Sequence, residues 1–226
     1  DPRLDHSVGR RGIPYLDWGN FPGQAWIRDQ PFAGPYAPKK YIYSKANEST
    51  LTDGSSWTRG YSSMNYAIIR FADVLLMAAE AEIELNNLEK AREYVNRIRA
   101  RAANPASWVK AGDGSNAANY VIGLYNTPWT DANAARTAVR FERKLELSGE
   151  GHRFFDLVRW GEAKATLDAY YKYVSGTTTP SINNQREYLK VPSVPTFVTG
   201  KSEYFPIPQR QIDLSNGTLK QNPGYN

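Results

Sequence analysis

Residues 142–160, Glu-Arg-Lys-Leu-Glu-Leu-Ser-Gly-Glu-Gly-His-Arg-Phe-Phe-Asp-Leu-Val-Arg-Trp, decide how the rest of the chain is read. Charged side chains, two glycines and an apolar set closing on Trp160 are pressed into one short run. That density suits two helices meeting at a sharp corner. Phe141 and Leu145 share one helical face, and Phe154, Leu157 and Val158 stand at i, i+3 and i+4 on the next. Gly149 and Gly151 flank Glu150 at the break, where a helix end needs residues that tolerate positive φ. Arg153, Asp156, Arg159 and Glu162 recur every three residues with alternating sign, a spacing that lets neighbours pair on a helix surface. Glu146 and Glu150, four apart, invite comparison with the two carboxylates of a glycoside hydrolase. Helix-surface carboxylates beside arginines are ordinary, so the run reads as a brace of salt bridges and caps instead. Trp160 and His152 are expected to be structural members of the corner.

Two helical stripes precede it. Ile68, Phe71, Ala72, Leu75, Ala78, Ala79 and Ile83 share a face ending near Asn86-Asn87; Leu88, Ala91, Val95, Ile98 and Ala102 form the next. A two-residue polar turn forces these helices antiparallel. The length from Arg70 to Ala103, and the Ala91-x-x-x-Val95 step, echo a tetratricopeptide repeat. Asn104-Pro105 stops the second helix. A second helical pair is expected over 131–148 and 152–174, with Asp131 as N-cap. One hairpin and one diverged pair are too few for a free-standing solenoid, so something else should cover their outer faces.

The expected architecture is mainly α: tetratricopeptide-like antiparallel hairpins with long ordered loops and few short strands. It divides into an aromatic loop-rich segment (1–64), a helical hairpin (65–103), a linker loop (104–130), a second helical pair (131–174) and an irregular tail packing on the helices (175–226). Tyr41–Ser44 is the best strand candidate, and Glu187–Val191 suggests a short extended segment. Prolines argue against any regular element in the tail. Gly112–Asn116 lacks the acidic residues of a calcium loop and reads as a surface turn.

Composition narrows the function classes. Cysteine is absent, which removes disulfides, thiol nucleophiles and Cys-ligated metals. His6 and His152 match no metal-ligand spacing. The net charge of +5 comes from 28 basic and 23 acidic residues, a mixed surface that argues against nucleic acid. Arg97, Arg99 and Arg101, the compact basic cluster, sit at a helix end where cations suit the dipole. The best apolar run, Ala72–Ala79, contains Asp73 and is too short to span a membrane. With no initiating Met or signal-peptide pattern, the chain is expected to be processed, truncated or cut from a longer protein. Aromatic residues are plentiful: 15 Tyr, 8 Phe and 6 Trp.

Four phrases in register resemble one family. Glu142-Arg143, Glu146-Leu147, Glu150-Gly151, Arg153, Asp156-Leu157 and Arg159-Trp160 fill every position of the C-terminal signature of SusD/RagB-type nutrient-binding lipoproteins. Asp1–Asp5 resembles the phrase that opens the C-terminal half of those proteins. Ile69–Ala81 is similar to their Arg-Tyr-Ala-Asp-Val-Leu-Leu-Met helix, with Phe71 in place of Tyr. Pro206-Ile207-Pro208 and Gln221–Tyr225 resemble their closing segment. The resemblance implies a SusD-like fold and a non-enzymatic, cofactor-free lipoprotein on the outer-membrane surface of Bacteroidetes-type bacteria. It further implies a lid over a SusC-like TonB-dependent transporter, with helical repeats facing the barrel and loops holding ligand, most often a glycan or oligosaccharide. Family members are considerably longer, and the N-terminal lipid anchor and part of the binding site are expected outside this chain.

A sugar surface needs flat aromatic faces for the C–H side of a pyranose and polar groups for its hydroxyls. The densest aromatic group is Tyr15, Trp18, Phe21, Trp26, Phe32 and Tyr36, interleaved with Asp17, Asn20, Gln24, Arg28 and Asp29. Tyr15, Trp18, Trp26, Tyr36 and Trp57 are the expected ligand-binding residues. Against this stands the simpler possibility that these rings pin Pro/Gly-rich loops to the helices. A helical-repeat protein-interaction scaffold with no small ligand of its own is the alternative function.

Overall fold

The structure, a computed structural model, describes residues 1–53, 61–174 and 196–225. Its helices are α1 (Arg3–Ser7), α2 (Gln30–Ala33), α3 (Glu48–Leu51), α4 (Phe71–Glu84), α5 (Leu88–Ala102), α6 (Ala132–Glu146), α7 (Arg153–Arg159), α8 (Ala163–Val174) and α9 (Gln209–Leu214). Two short strands, β1 (Val8–Gly9) and β2 (Ala37–Pro38), pair antiparallel with Val8 opposite Pro38 and Gly9 opposite Ala37. The chain forms two compact units: Asp1–Arg28 with Pro35–Arg153, and Asp29–Gly34 with Phe154–Asn226.

In the first unit α4, α5 and α6 pack on one another. The predicted α5 stripe supplies the core through Leu88, Ala91, Val95 and Ile98, and the α4 stripe does so through Leu75, Ala79 and Ile83, packed with Ala135 and Val139 of α6. Leu76, outside that stripe, is fully buried with them, whereas Ile68 and Phe71, expected on the buried face, are exposed. Each large apolar side chain enclosed in this way contributes about 1.5–3 kcal/mol, and the small alanines let the helices approach closely. The turn between α4 and α5 closes through Asn86, whose φ of 60° is left-handed. Its N–H donates to the Ile83 carbonyl at 3.0 Å, and that of Asn87 to Glu82 at 2.8 Å. This is a Schellman ending, with Asn in the place glycine usually takes. Asp131 caps α6 by accepting from the Asn133 N–H.

The helix expected over 152–174 is broken into α7 and α8. Gly161, at φ 70°, ends α7; its N–H donates to Val158 and that of Glu162 to Leu157. In this second unit Leu157 and Ala163 pack with Phe197. Phe197 is also tied by its N–H to Asp168 and by its carbonyl to Lys164, each at 2.9 Å. The tail folds back on itself, with the Gln221 amide bonding both backbone groups of Ile207.

Three local expectations are corrected. Residues 41–44 form no strand, because Tyr41 has φ 63° and cannot continue an extended ladder. The first 64 residues contain the short helices α1 to α3, which carry too few residues to show periodicity. The tail does hold a regular element: α9 begins directly after Pro208, in a stretch free of proline, and a Gln209–Asp213 bond of 2.8 Å supports it. The Gly112–Asn116 turn is closed by the Asp113 carboxylate, which accepts from the Ser115 N–H and hydroxyl. The segments at Ser175–Pro180 and Glu187–Val191 lie outside the described residues.

Candidate ligand-binding site

Three carboxylates of the corner run are buried, and each is met by cations from distant parts of the first unit. Glu142 accepts from Arg3 at 2.6 Å and Arg99 at 2.9 Å. Glu146 accepts from Arg3 at 3.2 Å, Arg70 at 3.0 Å and Arg101 at 2.7 Å on both oxygens. Glu150 accepts from Arg70 at 2.9 and 2.7 Å and pairs with Lys40. Burial alone would raise the Glu150 carboxyl, but the Arg70 and Lys40 bonds outweigh it and hold it below the usual carboxylate range. A carboxylate so held does not serve as a proton donor near neutrality, so Glu150 does not suit the acid half of an acid/base pair.

The brace expected from the sequence is therefore present, with partners much further away than helix neighbours. A local pair exists too, Arg159 to Asp156 at 2.8 Å. Arg159 also lies over the Trp160 ring at 4.9 Å. His152 does not join the brace: its Nε2 is buried with no hydrogen-bond partner among the described residues.

The same chemistry fastens the loops. Lys39 is buried and donates to the carbonyls of Asp5 and Pro14 at 2.7 and 2.6 Å. Asp5, fully enclosed, accepts from Arg10 at 2.6 and 2.9 Å and from the Tyr120 hydroxyl at 2.7 Å. Burial pushes the Lys39 ammonium down, opposed by the Asp5 charge. Loop and helix thus form one fixed base.

On that base Tyr15, Phe21 and Trp26 gather. Tyr15 and Phe21 lie 5.5 Å apart, and Trp26 stands edge-on to both at 6.0 and 5.7 Å. Phe21 is buried as the floor, while Trp26 at 48% exposure offers its indole to solvent. The Tyr15 hydroxyl donates to the Pro38 carbonyl of β2. Its ring crosses β1 where a Cβ on Gly9 would stand 2.6 Å from it, so glycine is required there. The turn that presents the ring is narrow: Tyr15 N–H donates to Gly19 at 2.8 Å and Phe21 N–H to Ile13 at 2.9 Å.

The other predicted residues are distributed differently. Trp18 faces away into a pair with Tyr43, 5.8 Å between centroids, and its Nε1 donates to the Tyr43 carbonyl. Tyr36 is exposed and stands just before β2. Trp57 lies outside the described residues. Asp17, expected among the polar ligands, instead caps the Lys45–Asn47 turn by accepting from Ala46 and Lys45 N–H groups, and those bonds lower its pKa. Trp108 and Trp129 are pins: the first pairs with Tyr120 and donates to Ala102, the second pairs with Tyr125 against the core. A stacked pair that sequence reasoning missed is Tyr41 with Tyr66, 4.2 Å apart and with Tyr66 well exposed. Its members are far apart in the sequence, and Tyr41 lay in the segment Tyr41–Ser44 that suggested a strand.

Comparison with known proteins gives one consistent answer. A model described as the SusD family matches residues 1–225. SusD-like protein P25 of Formosa agariphila is 37% identical over 131 residues, covering 58% of this chain and 21% of the relative. SusD-like protein P2 of the same organism is 29% identical over 167 residues, 73% of this chain and 26% of the relative. A SusD superfamily protein from Bacteroides vulgatus superposes over 100% of this chain and 40% of its own, with a TM-score of 0.61 and 25% identity. Surface glycan-binding protein A from Bacteroides thetaiotaomicron covers 84% of this chain and 30% of its own, with a TM-score of 0.52 and 26% identity. The chain thus spans about a quarter of the curated relatives it matches and less than half of these structures.

Proposed function

Because the chain belongs to the SusD family, we propose that it is part of a non-enzymatic cell-surface protein that binds a glycan or oligosaccharide for delivery to a SusC-like TonB-dependent transporter. Outer-membrane anchoring through an N-terminal lipid outside this chain belongs to the same proposal. The observation that carries it is the half-exposed Trp26 indole, set edge-on against Tyr15 over the buried Phe21. A rigid ring with one free face suits the apolar side of a pyranose at little entropic cost. The neighbour named as a surface glycan-binding protein supports the same ligand class.

One observation favours the protein-interaction alternative. Phe71, Val74 and Met77 leave an apolar stripe of α4 exposed, a face suited to another protein surface. Calorimetry and affinity electrophoresis of the full chain against a polysaccharide panel separate the two. Binding to at least one glycan is expected, with Trp26→Ala weakening it by about tenfold. No binding to any glycan, and no transporter recovered with the protein, would refute the proposal.

A further inference from the structure

A cavity of about 290 Å³ lies beside the brace in the first unit, and neither Tyr15 nor Trp26 lines it. Its polar walls come from α1, the loop at Lys40, the end of α5 and the corner run. The hydrogen-bonding groups around it are unevenly used. The acceptors are occupied: the Glu146 carboxylate takes guanidinium bonds from Arg3, Arg70 and Arg101, and Glu150 takes Arg70 and Lys40.

The donors are in excess. Ser7 is 6% exposed, yet its hydroxyl has no partner among the described residues. Native proteins seldom bury such a group without a further occupant to meet it. Arg101 bonds through Nη2 alone, leaving Nε and Nη1 available on a side chain 60% exposed. Lys40 directs two bonds inward, to the Glu146 carbonyl and the Glu150 carboxylate, and an ammonium has three protons.

Charge points the same way. Arg3 is further matched by Asp1 and Glu142. With Arg99, which shares Glu142, five cations (Arg3, Arg99, Lys40, Arg70 and Arg101) meet four carboxylates (Asp1, Glu142, Glu146 and Glu150), one positive charge in excess across the network. Tyr41 also lines the cavity, held at φ 63° and stacked on the exposed Tyr66. A bulky side chain in that backbone region is uncommon and clusters at ligand sites.

We propose that this cavity receives the oxyanion of an acidic sugar, a carboxylate or a sulfate ester, between the Ser7 hydroxyl and the free edge of Arg101, with the sugar ring beside Tyr41 and Tyr66. The sugar rests on the glycan-binding function proposed above; the oxyanion rests on the donor excess alone. A guanidinium edge and a hydroxyl are strong, directional partners for either anion.

The test is calorimetry of the full chain with three oligosaccharides of matched length: an oligogalacturonate, a sulfated galactan fragment and the unsulfated galactan. At least one acidic form should bind about tenfold or more tightly than the neutral one. Ser7→Ala and Arg101→Gln should each erase that preference by weakening the acidic form. Ser7→Ala removes only an unpartnered hydroxyl, so its thermal midpoint should not fall. Which acidic form is preferred tells carboxylate from sulfate. Equal binding of acidic and neutral forms, or a preference that survives both variants, overturns the cavity assignment and leaves glycan binding standing. If no oligosaccharide binds, free galacturonate and sulfate are titrated by NMR. Shifts at Ser7 and Arg101 then support the cavity while glycan binding fails, and their absence overturns both.

Discussion

Replacing Glu142 by glutamine is the sharpest test of what holds the first unit together. The Glu142 side chain is 0% exposed, and its oxygens meet the Arg3 and Arg99 guanidinium groups at 2.6 and 2.9 Å, themselves only 8% and 15% exposed. Glutamine keeps the shape but removes the charge, and turns one acceptor into an amide donor facing a guanidinium. Breaking a buried ion pair by removing one partner costs about 3–5 kcal/mol, because the remaining charge stays desolvated. At about 2–4 °C per kcal/mol for a chain of this size, the thermal midpoint should drop by about 6–20 °C. The control is Glu84→Gln. Glu84 meets Arg136 through two bonds of 2.7 and 2.8 Å, but its side chain is 63% exposed. If bond geometry decided stability the two variants would behave alike; if burial decides, Glu84→Gln leaves the midpoint nearly unmoved. Calorimetric melts and urea titrations of both variants measure the difference. A Glu142→Gln midpoint within about 2 °C of the parent, or equal losses in both variants, would refute the reasoning.

Other outcomes follow from the same interactions. Burial alone would raise the Asp5 carboxyl, but the Arg10 and Tyr120 hydrogen bonds and the Arg10 and Lys39 charges outweigh it, so Asp5, like Glu150, lies below its ordinary value. The unfolded chain then binds protons more readily than the folded one. The stabilisation is present above the ordinary values of 3.8 and 4.5 and is lost as pH falls through the lowered folded ones. Urea midpoints measured against pH should therefore fall more steeply below about 4.5, and a flat profile there would contradict the assignment. Gly9→Ala should displace the Tyr15 ring, costing roughly 1–3 kcal/mol and weakening glycan binding together; an unchanged melt and affinity would mean the ring is not held as described.

Much of the helical frame was legible from the sequence because a helix face is a local pattern. Leu88, Ala91, Val95 and Ile98 advertise their burial by spacing alone, and all four are core residues. Gly149 and Gly151 were readable as a break, and both have positive φ, 77° and 85°. The site was less legible. Tyr15 and Trp26 lie close in sequence and do meet, but nothing local says that Trp18 faces Tyr43. Asp17 looked like a ligand for hydroxyls and is a cap for a turn far along the chain.

The sequence by itself determined the family address, the hairpin of α4 and α5, and the bracing character of the corner run. These depend on residue order and on periodicities spanning a few turns. Only the tertiary structure decided which cations serve Glu142, Glu146 and Glu150. Arg3, Arg70, Arg99 and Arg101 are brought to them by chain reversals, and no spacing rule encodes that meeting. The same folding leaves Ser7 and Arg101 with donors unused beside saturated carboxylates. At Ser7, 6% exposed, burial has removed water as the alternative partner.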